Sequence, residues 1–219
     1  IMNLASDKDL VYYAASALQG HPVSEAYAPL IEQLKTNNTF QFKQQILLAL
    51  GRIGNPEAID EITAFLDNQD ELVGHFAAIA LGKIGTEKAV DNLLAIMAGS
   101  KPCPKLHAIT SMEIMADSRT VPALVEALFS NNEEIREAAA RALQYIPDER
   151  AFQPLLNCLS DSSSRLRIYA AYALAGLGKP EALPHIKKLL TDEVQIVRLH
   201  ANNLVRWLKE GGLPKAKVI

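Results

Sequence analysis

Apolar residues recur along the chain with the period of an α-helix, and no segment shows the alternation of a β-strand. One column of large apolar residues recurs at intervals of about 31 residues: Leu18, Leu50, Leu81, Met112, Leu143, Leu174 and Val205. A second column lies four residues earlier: Ala14, Ile46, Ala77, Ala108, Ala139, Ala170 and Ala201. Positions i and i+4 share one helix face, so the two columns predict a buried seam between neighbouring helices.

Another pair of columns predicts a second amphipathic helix in each repeat. The first of them is Leu30, Ile62, Leu93, Leu124, Leu155 and Ile186, and the other follows four residues later at Leu34, Leu66, Met97, Leu128, Leu159 and Leu190. The chain is therefore predicted to be all-α, built from repeated hairpins of a first and a second helix.

Turn-forming residues separate the predicted helices. Gly51 and Gly54 are expected to end a first helix, and Asn55 and Pro56 to cap and start the second helix that follows. A phosphate-binding loop is excluded for "LALGRIG", because such loops follow a strand and have a fuller glycine spacing. Between repeats, one column holds turn or capping residues: Asn37, Asn68, Gly99, Ser130, Asp161 and Asp192.

Composition narrows the class of protein without identifying an activity. The 219 residues are 49% hydrophobic and 21% charged, and the net charge of -3 disfavours nucleic acid as a partner. The longest uncharged apolar stretch, Ile168 to Gly178, is too short to cross a bilayer, so no membrane association is predicted. No secretory signal is evident at Ile1, and a cytoplasmic location is expected.

Two segments carry a family resemblance: "EEIREAAARALQYIPDERAFQPLLNCLSD" (133–161) and "SRLRIYAAYALAGLGKPEALPHIKKLLTD" (164–192). They resemble the HEAT-like repeats of the phycobilin lyase type. The resemblance implies an α-solenoid, a right-handed α-α superhelix of about six to seven hairpins, that spans residues 1–219 as one domain. Bilin lyase subunits, phycobilisome-disassembly factors, deoxyhypusine hydroxylase, DNA glycosylases and scaffolds share this repeat, so it implies architecture rather than activity.

The ends of the chain do not coincide with repeat boundaries. Residues 1–4 resemble the tail of a second helix, and the first helix of a seventh repeat is expected to run to about Leu208. We therefore expect either a fragment of a longer protein or a start immediately after a short cap. Trp207 is expected to cover the core at the last helix, with a role as a contact residue as the alternative.

No histidine or cysteine has the neighbours in sequence that catalysis requires. The HEAT-like hydroxylases bind iron through His-Glu dyads, but His75 is followed by Phe76, and His107 and His200 lie three repeats apart. No histidine is expected beside Cys103 or Cys158 to activate the thiol, so packing or surface roles are favoured. No catalytic residue, metal ligand or cofactor is predicted.

A basic column opens the first helices: Lys43, Lys105, Arg136, Arg167 and Arg198. In this repeat class such residues reach turn residues of neighbouring units, which predicts an inter-repeat ladder. The alternative is a stripe that binds an anion or an acidic partner.

In HEAT solenoids the second helices line the concave side, which implies a partner-binding surface made of their non-core residues. The predicted surface is Glu32, Glu61, Ala64, Asn92, Ala95, Glu126, Asn157, His185 and Lys188. Its small, neutral and mixed polar character suits a protein partner, so a protein-binding scaffold is the first hypothesis. The alternative is a subunit of a phycobilin lyase or a phycobilisome-handling factor that holds a bilin chromophore. A DNA glycosylase is disfavoured by the acidic residues of this surface.

Overall fold

A computed structural model describes residues 26–36, 39–99 and 105–210. The positions predicted at Ala14, Leu18, Asn37 and Cys103 lie outside these residues. Twelve α-helices and no strand occur among the described residues: α1 (Tyr27–Thr36), α2 (Phe40–Ile53), α3 (Ile59–Ala64), α4 (Glu71–Ile84), α5 (Glu87–Met97), α6 (Lys105–Met115), α7 (Val121–Ala127), α8 (Glu133–Leu143), α9 (Phe152–Cys158), α10 (Ser164–Gly176), α11 (Ala182–Lys188) and α12 (Gln195–Lys209).

The helices group into two compact units, the first ending at Met115 and the second beginning at Ala116. In the first unit, the first helices α2, α4 and α6 pack on one another in chain order, and α1, α3 and α5 are the second helices. In the second unit, α8, α10 and α12 stack in the same way, and α7, α9 and α11 are the second helices. The predicted repeat of two helices is therefore confirmed in each unit.

The two predicted apolar columns form the core of the first helices. Leu50, Leu81 and Met112 are fully buried in the first unit, as are the residues four positions before them. In the second unit, Leu174, Ala170 and Ala139 of these columns are fully buried as well. Burial of these side chains away from water stabilises the stack by the hydrophobic effect.

Glycine and asparagine separate α2 from α3 as the sequence predicted, with one correction. Gly54 adopts a left-handed φ of 70° after α2, and the Asn55 side chain accepts a hydrogen bond from the Glu57 N–H at 2.9 Å. Gly51, however, does not end the helix but lies buried inside α2. A Cβ at Gly51 would stand 2.8 Å from the Cα of Ala80, so glycine allows α2 and α4 to approach closely.

The turn column between repeats forms a recurring hydrogen bond just before the N-caps of four first helices. The side chains of Asn68, Ser130, Asp161 and Asp192 each accept a hydrogen bond from the backbone N–H two residues later, at 2.9 to 3.2 Å. This bond shapes the chain entering α4, α8, α10 and α12.

The repeat that begins with α6 departs from the others where the sequence does. Met112 is buried in the place of leucine, and Ala116 has a left-handed φ of 52° where Gly54, Gly85 and Gly178 stand in other repeats. An alanine in this conformation is strained by its Cβ. The structure therefore keeps the repeat's backbone turn although the glycine is absent.

Trp207 lies half-buried on α12, next to a tyrosine that contacts a histidine. Its ring centroid is 6.4 Å from that of Tyr172, whose hydroxyl lies 2.9 Å from His200 Nδ1. Burial raises the pKa of Tyr172 and lowers the pKa of His200. These rings pack α10 against α12.

Candidate partner-binding surface

The second-helix surface, meaning the nine residues predicted as partner-binding, is only partly exposed. Glu32, Ala64, Glu126, Asn157 and Lys188 are exposed, and Glu61, Asn92, Ala95 and His185 are half-buried. The exposed five occupy one repeat position, two residues after a buried apolar residue of each second helix. That offset directs them away from the core.

In the first unit, two of the half-buried residues contact a neighbouring second helix. Lys35 Nζ lies 3.5 Å from Glu61 Oε1, and Asn92 Nδ2 donates to Thr63 Oγ1 at 3.4 Å. The exposed Lys35–Glu61 ion pair adds little stability. The two contacts hold part of the predicted surface in a fixed arrangement.

Charge on the second helices of the first unit is predominantly acidic. Two lysines, Lys35 and Lys88, stand among five acidic side chains: Glu32, Asp60, Glu61, Glu87 and Asp91. Lys88 Nζ pairs with Asp60 Oδ2 at 2.6 Å. The excess of carboxylates gives these helices a negative surface.

In the second unit, Phe129 is an exposed aromatic residue that the sequence prediction missed. Its side chain follows α7 and is 59% exposed, three residues after Glu126. The repeat alignment carries a signal for it, because Asp67, Ala98 and Ser160 occupy the same position. A large exposed aromatic residue in a column of small or polar residues is a candidate contact residue.

Three arginines of the basic column bind carbonyls of the turn before their helix, and two of them also bind a carboxylate. Arg167 Nη1 donates to the carbonyls of Asp161 (2.7 Å) and Ser162 (3.2 Å), and Nε and Nη2 bind the Asp192 carboxylate, each at 2.8 Å. Arg136 binds Asp161 in the same manner at 3.2 and 3.1 Å. Nη1 of Arg198 donates to the carbonyls of the same turn position at 2.6 and 3.0 Å.

The two aspartates of these pairs are held ionised. Burial acts to raise the pKa of Asp161 and of Asp192, but hydrogen bonds from the arginines and from backbone N–H groups outweigh it, so each pKa lies below its ordinary value. Both partners of each pair are therefore charged at neutral pH.

The two lysines of the basic column do not form this arrangement. Lys43 Nζ lies 5.6 Å from the ring centroid of Phe65, a cation–π contact, and Phe65 is half-buried. Lys105 is exposed at the start of α6. Lysine lacks the planar fork that binds two carboxylate oxygens at once.

The remaining polar candidates are mostly enclosed by packing. His107 is buried, with Nδ1 3.0 Å from the Leu66 carbonyl, which requires the ring to donate from that nitrogen. Cys158 is buried, and burial raises the pKa of its thiol to about 11. His75 lies exposed on α4. Within residues 26–36, 39–99 and 105–210, no three His, Cys, Asp or Glu side chains are grouped to hold a metal ion.

The helices described here also show no candidate for a membrane span, since none is both long and apolar enough.

Comparison with known families identifies the repeat. The family described as HEAT repeats matches the chain three times, over residues 27–113, 100–162 and 121–206. The chain belongs to the HEAT-repeat family. The predicted family resemblance and the all-α solenoid fold are thereby confirmed. A comparison with curated proteins gave no match.

Solved structures show the same fold as this HEAT-repeat chain at low sequence identity. A chain from the complex of CpcE and CpcF of phycocyanin lyase from Nostoc sp. PCC7120 has a TM-score of 0.61 and 23% identity, covering 68% of this chain and 99% of that one. An archaeal HEAT-like repeats protein from Thermococcus onnurineus NA1 has a TM-score of 0.58 and 14% identity, covering 93% and 95%. At these identities the likeness concerns fold alone.

Proposed function

We propose that this HEAT-repeat protein is a scaffold that binds another protein through its second-helix surface. The observation that carries this proposal is the contrast between two repeat positions on the second helices. The packing position is buried at Ile62, Leu124 and Leu155. The position two residues later is exposed in each of these repeats and changes from alanine to glutamate to asparagine. A position without a packing role and with varied chemistry can encode partner specificity.

The two units offer different chemistry to a partner. The acidic second helices of the first unit suit a basic segment, and the exposed Phe129 of the second unit suits an apolar pocket or patch. Binding that uses the acidic surface is expected to weaken as salt rises, because exposed charges are screened.

The test uses the full chain as bait in an extract, followed by binding measurements with the purified retained protein. Ala64→Arg and Asn157→Arg place a large charged side chain on the second-helix surface of each unit, and each is expected to weaken binding at least about tenfold, or about 1.4 kcal/mol. Phe129→Ala tests the exposed aromatic residue in the same assay, with a similar loss expected.

The matched control is Gln41→Arg, which adds the same charge at an exposed position of the first helix α2. It is expected to leave binding unchanged. A partner that is retained equally by all three second-helix variants, or lost only with the control variant, contradicts the proposed surface.

A second candidate is the handling of a bilin as part of a phycobilin lyase or a phycobilisome-handling factor. The fold likeness to a chain of the CpcE and CpcF complex is the observation that favours it. Adding phycocyanobilin to the purified protein and recording visible absorbance tests this candidate. An unchanged spectrum at saturating protein rejects it.

A further inference from the structure

The side of α4 that faces solvent is largely apolar. After Glu71, five residues of α4 are not buried, and their helical spacing places them on one face. This α4 outer face consists of Leu72, His75, Phe76, Ile79 and Lys83. Leu72 is 55% exposed, His75 is exposed, and Phe76 and Ile79 are half-buried. Three large apolar side chains therefore reach the surface along one helix.

The same positions of α2, one repeat earlier, are mostly polar. Three glutamines stand where the α4 outer face has leucine, histidine and phenylalanine: Gln41, Gln44 and Gln45. The two helices pack side by side in the first unit, so the repeat itself does not require apolar residues at these positions. The ring centroid of Phe76 lies 6.1 Å from that of Phe40, a contact that supports the Phe76 ring at the surface. A contiguous apolar stripe of this kind is typical of an interaction surface.

The two ends of α4 carry opposite charges. Asp70 and Glu71 are exposed where the helix begins, and Lys83 is exposed in its last turn. Arg52 occupies the position of Lys83 one repeat earlier and is also exposed, so it adds positive charge at the same end of the stack. A helix with an acidic start and a basic end is complementary in charge to a copy of itself that runs in the opposite direction.

The residues of the α4 outer face are also spaced symmetrically for such a pairing. Leu72 and Lys83 are equally far from the middle of the segment between them, and so are Phe76 and Ile79. In an antiparallel pair with two-fold symmetry, Phe76 of one copy therefore lies opposite Ile79 of the other. Leu72 lies opposite the aliphatic part of Lys83, whose ammonium group is then within reach of the Glu71 carboxylate.

We propose that the α4 outer face binds a second copy of this chain, with the two α4 helices antiparallel about a two-fold axis. One helix from each copy buries less than the roughly 1,200 to 2,000 Å² of a standard interface, so the dimer is weak and forms at high protein concentration. This face belongs to a first helix and is separate from the second-helix surface, so either proposal can fail without the other.

Sedimentation velocity of the full chain, from micromolar to submillimolar concentration, tests the proposal. The expected result is a reversible equilibrium between monomer and dimer. Leu72→Gln gives α4 the residue that α2 has at this position, and it is expected to raise the dissociation constant at least about tenfold because the lost apolar contact occurs twice in the dimer. The matched control is Leu199→Gln, a leucine of α12 that is 54% exposed, and it is expected to leave the equilibrium unchanged.

Charge reversal tests the antiparallel geometry separately from the apolar contact. Lys83→Glu and Glu71→Lys each bring like charges together at both ends of the dimer, so each variant alone is expected to dimerise at least about fivefold more weakly. An equimolar mixture of the two variants pairs unlike charges at both ends. The mixed dimer is therefore expected to form about as readily as the dimer of the natural chain.

Three results would overturn the proposal. These are a chain that stays monomeric at submillimolar concentration, an equal effect of Leu72→Gln and Leu199→Gln, and a mixture that dimerises no better than either charge variant alone. A monomeric chain that retains a different protein, and loses it in Leu72→Gln, would assign the face to that protein instead. Far-UV circular dichroism of each variant verifies that the helices are intact.

Discussion

The Arg167 guanidinium and the Asp192 carboxylate form a buried pair across 25 residues of sequence, with two hydrogen bonds of 2.8 Å. Only 6% and 8% of the two side chains are exposed. The two carbonyls that bind Nη1 fix the orientation of the guanidinium toward the carboxylate. The pair therefore joins the turn before α10 to the turn before α12.

Replacing Arg167 with methionine is expected to lower the free energy of unfolding by about 3 kcal/mol, because a buried carboxylate and two carbonyls lose their donors. Urea unfolding monitored by circular dichroism measures the change. The control is Arg165→Met, since the Arg165 side chain is 76% exposed and its ion pair with Glu137 spans 3.9 Å. A change within about 0.5 kcal/mol is expected for the control, and equal losses in both variants would contradict the role of the buried pair.

Stability is expected to fall in acid through the aspartates of the arginine pairs. The folded-state pKa of Asp192 lies below its ordinary value of 3.8. Burial acts to raise this pKa, but the hydrogen bonds from Arg167 and Val194 outweigh the effect of burial. A lowered folded-state pKa contributes stability that is complete above the unfolded value and is lost as pH falls through the folded value. Urea unfolding between pH 7 and pH 2.5 should therefore show Asp192→Asn losing less stability in acid than the natural chain. Parallel pH curves would contradict this prediction.

Ala116→Gly is expected to stabilise the protein by about 0.5 to 1 kcal/mol, because glycine removes the Cβ strain at a φ of 52°. Thermal or urea unfolding measures the gain. Ala98→Gly is the matched control, since Ala98 follows α5 with an ordinary φ of -70°. Glycine there adds freedom to the unfolded chain, so a loss of about 0.4 to 1 kcal/mol is expected. A loss in both variants would contradict the strain at Ala116.

Gly51→Ala is expected to destabilise the protein by about 1 to 3 kcal/mol, because the added methyl group would stand 2.8 Å from the Ala80 Cα. Gly176→Ala is the comparison, since its Cβ would meet only the Gln144 carbonyl, at 3.8 Å. Alanine has the higher helix propensity, so a gain of up to about 1 kcal/mol is expected there. Denaturant unfolding of both variants measures the difference, and a tolerated Gly51→Ala would show that α2 and α4 can separate without cost.

The sequence predicted the fold well because the signal for each helix is repeated at a fixed spacing. Leu50, Leu81 and Leu174 identify one packing position several times over, so drift at Met112 does not hide it. Gly51 shows where periodicity failed, since a glycine that ends a helix and a glycine that admits a neighbouring helix look alike in one sequence.

The second-helix surface was predicted less completely than the fold. The exposure of a side chain depends on side chains of adjacent repeats, and the repeat alignment does not show where these lie. Glu61 and Asn92 were predicted as surface residues, yet each contacts the second helix before it. Phe129 was missed because it lies just past the end of α7, where helical periodicity no longer identifies surface positions. Long side chains can cross between repeats, and the alignment alone does not give their conformation.

The arginine pairs give the stack a direction. The Arg136 and Arg167 guanidinium groups each contact carbonyls of the turn before their own helix and a carboxylate of the turn after their hairpin. Each such hairpin is therefore linked through its arginine to the turn that begins the next hairpin. A segment copied from Ser162 to Asp192 and inserted in tandem would bring a complete arginine and a complete aspartate with it. Duplication of a whole repeat therefore preserves every arginine–aspartate contact. Insertion of part of a repeat would instead separate one arginine from its aspartate.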